Sequence, residues 1–105
     1  MDQSAGSVPR VDEDEARVVE RFLPDGRLLR MPAKAAKRRL VLEQVAHRFE
    51  PGRRYTEPEV DAILTQVVAD GESDHVTLRR YLVDAQLLGR AAGEYWRVGG
   101  WVADT

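Results

Sequence analysis

The run Thr56-Glu57-Pro58-Glu59 narrows the folding options of this chain more than any other local signal. The Thr56 hydroxyl can accept a hydrogen bond from the Glu59 backbone, while the Glu59 carboxylate reaches back to Thr56. That reciprocal cap starts a helix. Val60, Ile63, Leu64, Val67 and Val68 follow at helical spacing, so the helix runs through Val68 with a single apolar stripe. A helix with one apolar face needs neighbours on that side, and the flanking sequence supplies them.

Upstream, Val11, Val18, Val19, Phe22 and Leu23 fall on one side of a helix over 11–23. Asp12 to Glu15 occupy its first turn, where the helix dipole favours negative charge, and Pro24-Asp25-Gly26 stops it. The segment from Gly26 to Met31 reads as a short strand. A second helix is predicted over 34–49, with Val41, Leu42, Val45, Ala46 and Phe49 on one face and Pro51-Gly52 as its terminator. Tyr55 marks a very short strand. Downstream, Asp74 is a good N-cap for a fourth helix reaching about Leu88. The stretch from Leu88 to Val98 reads as a hairpin turning near Gly93. Trp96 and Val98 share one of its faces, expected to be the core face, and Tyr95 and Arg97 share the other.

Strand, helix, short strand, helix, helix, hairpin is the order of a winged helix, a helix-turn-helix with a β-ribbon appended. The expected fold class is therefore mainly α with a small β-hairpin (α+β), a winged-helix-like domain with an N-terminal helical extension. At 105 residues there is room for one domain, assigned to 11–105, with the polar residues 1–10 expected to be disordered.

No apolar run approaches the roughly 20 residues of a membrane span, and the first residues do not read as a secretory signal. With no cysteine, disulfide and thiolate chemistry are excluded, and a reducing cytoplasm is the expected setting. Charge is segregated along the chain. Residues 27–54 hold nine Lys/Arg against two acids, whereas 1–26 and 55–105 are both acidic. Such a basic middle either attracts phosphate or neutralises the chain's own acids. Nothing brings the only two histidines, His47 and His75, and a carboxylate together at ligand spacing, and Asp70 to His75 lacks the acidic ladder of a calcium loop. No nucleophile elbow or phosphate-cradling loop occurs. The expectation is a non-enzymatic protein without metal or cofactor.

The chain resembles the bacterial family called domain of unknown function 2087. The pieces that carry this are Asp25-Gly26-Arg27-Leu28, Met31-Pro32-Ala33-Lys34, the run from Arg48 to Val60, the run from Asp74 to Asp84, and Tyr95-Trp96-Arg97-Val98. Together they span residues 25–98. The resemblance implies a setting in bacterial transcription, because members of that family occur alone or fused to helix-turn-helix regulators. It carries over no activity and no binding residues. Where many members have Asn after the Glu-Val pair, this chain has Asp61.

Two readings of the surface stay open. In a DNA-binding winged helix, the helix 74–88 enters the major groove and the wing 89–98 touches the backbone of double-stranded DNA. Thr77, Arg79 and Arg80 would then face bases or phosphates, with Lys34, Lys37, Arg90 and Arg97 adding phosphate contacts. Against this, the outward side of the same helix carries Val76, Val83 and Leu87 beside Arg80, and Glu57, Glu59 and Asp61 place negative charge where a duplex would approach. A groove-reading helix needs polar side chains there. The alternative is a protein-interaction or homodimerisation module without DNA contact, its interface formed by Val76, Val83, Leu87 and Trp101, and its partner a second copy or a regulator protein. A bland fate for Arg80 is an i,i+4 ion pair with Asp84.

Overall fold

The computed structural model describes residues 13–69 and 71–98. Four helices and one small sheet alternate in the order α1 (Glu13–Phe22), a 3-10 turn (Pro24–Gly26), α2 (Ala35–Ala46), β1 (Arg54–Thr56), α3 (Glu57–Val68), α4 (His75–Asp84), β2 (Leu88–Ala91) and β3 (Glu94–Arg97). The sheet is antiparallel with spatial order β1-β3-β2, so the short strand before α3 pairs with the second strand of the hairpin. This is the winged-helix-like arrangement, with α1 as an N-terminal extension resting on α2. Trp101, the N-terminal segment 1–10 and the first residues of the expected 11–23 helix lie outside the described residues.

Local chemistry sets each boundary. The capping box at Thr56 forms in full: the Glu59 amide donates to the Thr56 hydroxyl at 3.3 Å and the Thr56 amide donates to Glu59 Oε1 at 2.8 Å. That geometry holds the Glu59 carboxyl below its usual pKa, chiefly through the Thr56 backbone bond. Asp74 caps α4 by accepting the Thr77 amide at 2.7 Å, and this bond likewise lowers the Asp74 pKa. The start of α2 has no side-chain cap. Instead Arg38 folds back to donate to the carbonyls of Pro32 and Ala33, and its guanidinium lies 5.4 Å from the centre of the Tyr81 ring.

Several sequence expectations are corrected. The segment from Gly26 to Met31 is not a strand. Its amides close helix ends: Leu28 donates to Val67 O at 2.8 Å and Leu29 to Phe22 O at 3.0 Å, while Leu29 O accepts from Glu72 at 2.8 Å. The segment is thus a strap joining the ends of α1 and α3, drawn so close that a Cβ on Gly71 would stand 2.0 Å from Leu28 O. The second helix stops at Ala46, and Arg48 and Phe49 make only i→i−3 bonds before Pro51-Gly52.

The fourth helix stops at Asp84, four residues before Leu88. Gln86 takes a left-handed conformation (φ 61°), the Leu87 amide donates to Leu82 O, and the Gln86 amide donates to Val83 O. That is a Schellman ending with its accompanying apolar contact, and it turns Leu87 inward. At 9% exposure Leu87 belongs to the core, not to an outer interface.

The core collects Leu28, Val41, Val45, Phe49, Val60, Leu64, Val67, Leu78, Leu82, Leu88 and Tyr95, all essentially without solvent contact. Tyr95, not Trp96, is the aromatic side chain under the wing. The two-residue turn at Ala92-Gly93 has positive φ at both positions, as a type I′ hairpin requires, and it fixes the register that pairs Gly89 with Trp96. With no Cβ at Gly89, the Trp96 ring lies flat on that strand, where a Cβ would come within 2.3 Å of it. Arg54 covers the ring at 4.3 Å, so Trp96 sits half-buried on the sheet's other face.

Candidate functional site

Two sides of α4 meet the wing differently. On the inner side Leu78 and Leu82 enter the core beside Leu88 and Tyr95. Arg79 stands at the edge of that seam with its side chain only 16% exposed. It is hydrogen-bonded to the Asp61 carboxylate, lies 3.9 Å from Glu57, and approaches the Tyr95 ring at 6.0 Å. Tyr95 in turn donates its hydroxyl to Glu57 Oε1 at 3.1 Å. The pKa values follow this arrangement. Burial, and then the bond to Glu57, push the Tyr95 hydroxyl above its usual value. Burial works against the charged Arg79, yet the hydrogen bond to Asp61 and the surrounding negative charge hold its guanidinium above its ordinary pKa. Arg79 therefore ties α4 to the start of α3 and to the wing.

On the outer side lies an open cleft of about 320 Å³ lined by Val76, Arg79, Arg80, Val83, Asp84, Arg90 and Tyr95. Val76 is 44% exposed, one of two large apolar side chains so placed among the described residues. Arg80 is exposed, and the ion pair with Asp84 that its spacing allows does not form. Arg90 lies 5.6 Å from the Tyr95 ring centre and has no carboxylate partner among the described residues. A second opening of about 600 Å³ shares Val83 and Arg90 with the first and continues past Gln86, Leu88, Gly89 and Val98. The shared residues make one groove that follows α4 and bends around Arg90.

Of the residues singled out from the sequence, the structure gathers Val76, Arg79, Arg80, Val83 and Arg90 at this groove. Thr77 is exposed on α4 with its amide engaged in the cap. Lys34 and Lys37 stand at the start of α2 and line neither opening. Arg97 donates to Phe49 O at 3.3 Å and borders a different cleft, with Arg39, Glu43 and His47. Sequence reasoning missed Tyr95 as the floor of the groove and the bridge from Asp61 to Arg79. The bridge crosses between two helices, which no single-helix periodicity can reveal; the departure at Asp61 was its one sequence sign.

Among the described residues no group of three His, Cys, Asp or Glu is placed to hold a metal ion. No helix among them is long and apolar enough to cross a membrane.

Fold and groove together define a winged-helix-like domain whose third core helix and wing enclose a mixed apolar and basic cleft. The family model of domain of unknown function 2087, described as an uncharacterized protein conserved in bacteria, matches residues 27–97. The chain belongs to that bacterial family. No curated protein and no solved structure matches it.

Proposed function

We propose that this domain is a non-enzymatic interaction module of bacterial transcriptional regulation, and that it docks a partner protein through the outer side of α4 and the wing. One observation carries the reading: Arg79, one of the two α4 cations expected to face a groove, is engaged by Asp61 and Glu57 of the same chain. A duplex approaching α4 would also meet Glu57 and Glu59 at the start of α3. Sequence readout needs free donors facing base edges, and a phosphate rail needs uninterrupted positive charge. This face supplies a discrete cleft instead, lined by apolar side chains and guanidinium groups together.

A foreign partner fits better than a second copy. Two α4 helices packed about a two-fold axis centred on Val76, Arg80 and Val83 would bring the two Arg80 side chains together, since an isologous contact meets itself at its centre. A photo-crosslinking residue at position 76, introduced in bacterial cells, should give a discrete protein adduct, while the same residue at exposed Thr65 should not. Adducts with DNA, or none at either position, would overturn the reading.

The second reading, DNA contact, keeps one observation in its favour: Arg80, Lys34 and Lys37 have no acidic partner among the described residues. If duplex binding is the function, affinity should fall steeply with added salt, and removing these cations should reduce that slope.

A further inference from the structure

The composition of the groove also specifies what it can receive. Arg80 and Arg90 border the same cleft, and neither has a carboxylate partner among the described residues. Their neighbours are otherwise engaged: Arg79 with Asp61 and Glu57, Arg54 with Glu94, and Arg97 with the Phe49 carbonyl. Two guanidinium groups lining one partly enclosed cleft repel each other until an anion sits between them. The planar fork of each matches the two oxygens of a carboxylate. Val76 lines the same cleft and Val83 lines both openings, so apolar contact is available beside the cationic site.

The negative charge around the cleft limits how much anion fits. Asp84 lines it, and Glu57 and Asp61 lie beneath Arg79. One carboxylate gains from two arginines against these acids, whereas a run of phosphates would meet all of them. The second opening shares Val83 and Arg90 with the cleft and continues this surface past Leu88 and Val98, so a chain held at the cationic site has room to run on.

We propose, resting on the docking reading above, that the groove between α4 and the wing receives a partner segment in which one Asp or Glu is flanked by apolar side chains. The carboxylate sits between Arg80 and Arg90, and the apolar neighbours sit on Val76 and Val83.

The test is an amide chemical-shift titration of the full chain with acetyl-Ser-Leu-Glu-Leu-Ser-amide and with its Gln counterpart, which differs by one charge. The Glu peptide should shift the amides of Val76, Arg80, Val83 and Arg90, and the Gln peptide should bind at least tenfold more weakly. Arg80→Gln combined with Arg90→Gln should remove the difference between the peptides, with an unchanged melting temperature showing that the fold persists. Equal binding of both peptides, shifts elsewhere on the molecule, or no shift at millimolar peptide would overturn the carboxylate assignment. So would a DNA duplex that shifts the same amides more strongly than the peptide. If a protein adduct forms at position 76 while the peptides fail, docking stands and the chemistry assigned to the partner falls.

Discussion

Arg79 and Arg80 are adjacent on α4 and both border the outer cleft, yet only Arg79 is tied into the molecule by ion pairs. Arg79 lies in the seam between α4, the start of α3 and the wing, where Asp61, Glu57 and Tyr95 surround it. Arg80 lies on the outer cleft with Val76, Val83 and Arg90, facing solvent. The 100° step between successive helical residues is enough to carry one cation into structure and leave the next exposed to solvent. Sequence alone presents the two as an equivalent pair. Substitutions on the seam should therefore cost stability, and those on the cleft should cost binding alone.

The largest effect is expected on the seam. Leu82 has no solvent exposure, and its carbonyl also closes the Schellman ending of α4. Leu82→Ala should lower the unfolding free energy by about 3 kcal/mol through lost burial and the cavity left behind. Urea denaturation measures this directly, and a loss below about 1 kcal/mol would mean that the seam is loosely packed.

Next comes the bridge that holds Arg79. Asp61→Ala leaves a partly buried guanidinium with only the more distant Glu57, and should cost about 1–2 kcal/mol. Asp61→Asn keeps an acceptor oxygen at the position and should lose less. If both variants are as stable as the parent chain, Arg79 is not a structural cation and the distinction from Arg80 collapses.

These two cases show how much the sequence disclosed. The capping box at Thr56, the cap at Asp74 and the stripes of α3 and α4 were legible, because each is a contact within one turn or one face. Three features were not. The end of α4 depends on Gln86 adopting a left-handed backbone, which favours Gly or Asn and so left no signal; Leu87 was accordingly assigned to the outer face. Alternation grouped Trp96 with Val98 and Tyr95 with Arg97, but it could not say which pair faces inward. The pairing of Gly89 with Trp96 decides that, and it is a relation between strands. The strap at Leu28 and Leu29 carries strand-like residues whose amides go to helix ends, a choice made by tertiary packing. For the site, the sequence named Val76, Arg80, Val83 and Arg90, but it could not separate Arg79 from them.

A smaller effect tests the cap that fixes where both sides of α4 begin. The Thr77 backbone bond holds the folded Asp74 pKa below its ordinary value of 3.8. A carboxyl with a depressed folded pKa contributes stability that is present above its unfolded pKa and disappears as the pH falls through the folded one. Asp74→Asn keeps a capping oxygen but does not titrate. The parent chain should therefore lose stability relative to this variant as the pH drops below 3.8, and the gap between their urea midpoints should be constant at neutral pH. A gap that stays constant down to strongly acidic pH would show that the Asp74 charge is irrelevant to the cap.

The smallest expected effect on stability is the one that most sharpens the contrast. Arg80 makes no hydrogen bond or ion pair within the described residues, and Val76 is 44% exposed, so neither contributes to the seam. Arg80→Gln and Val76→Ser should each change the unfolding free energy by less than about 0.5 kcal/mol, the range of surface substitutions away from caps and cores. Combined, they should still remove the adduct formed by a photo-crosslinking residue placed at Val83, on the same groove. Stability and binding would then separate along a single helix, one side of which can be altered without touching the other. A double variant that unfolds readily, or one that crosslinks as before, would instead place Arg80 and Val76 with Arg79 in the scaffold, and the outer cleft would lose its claim to a partner.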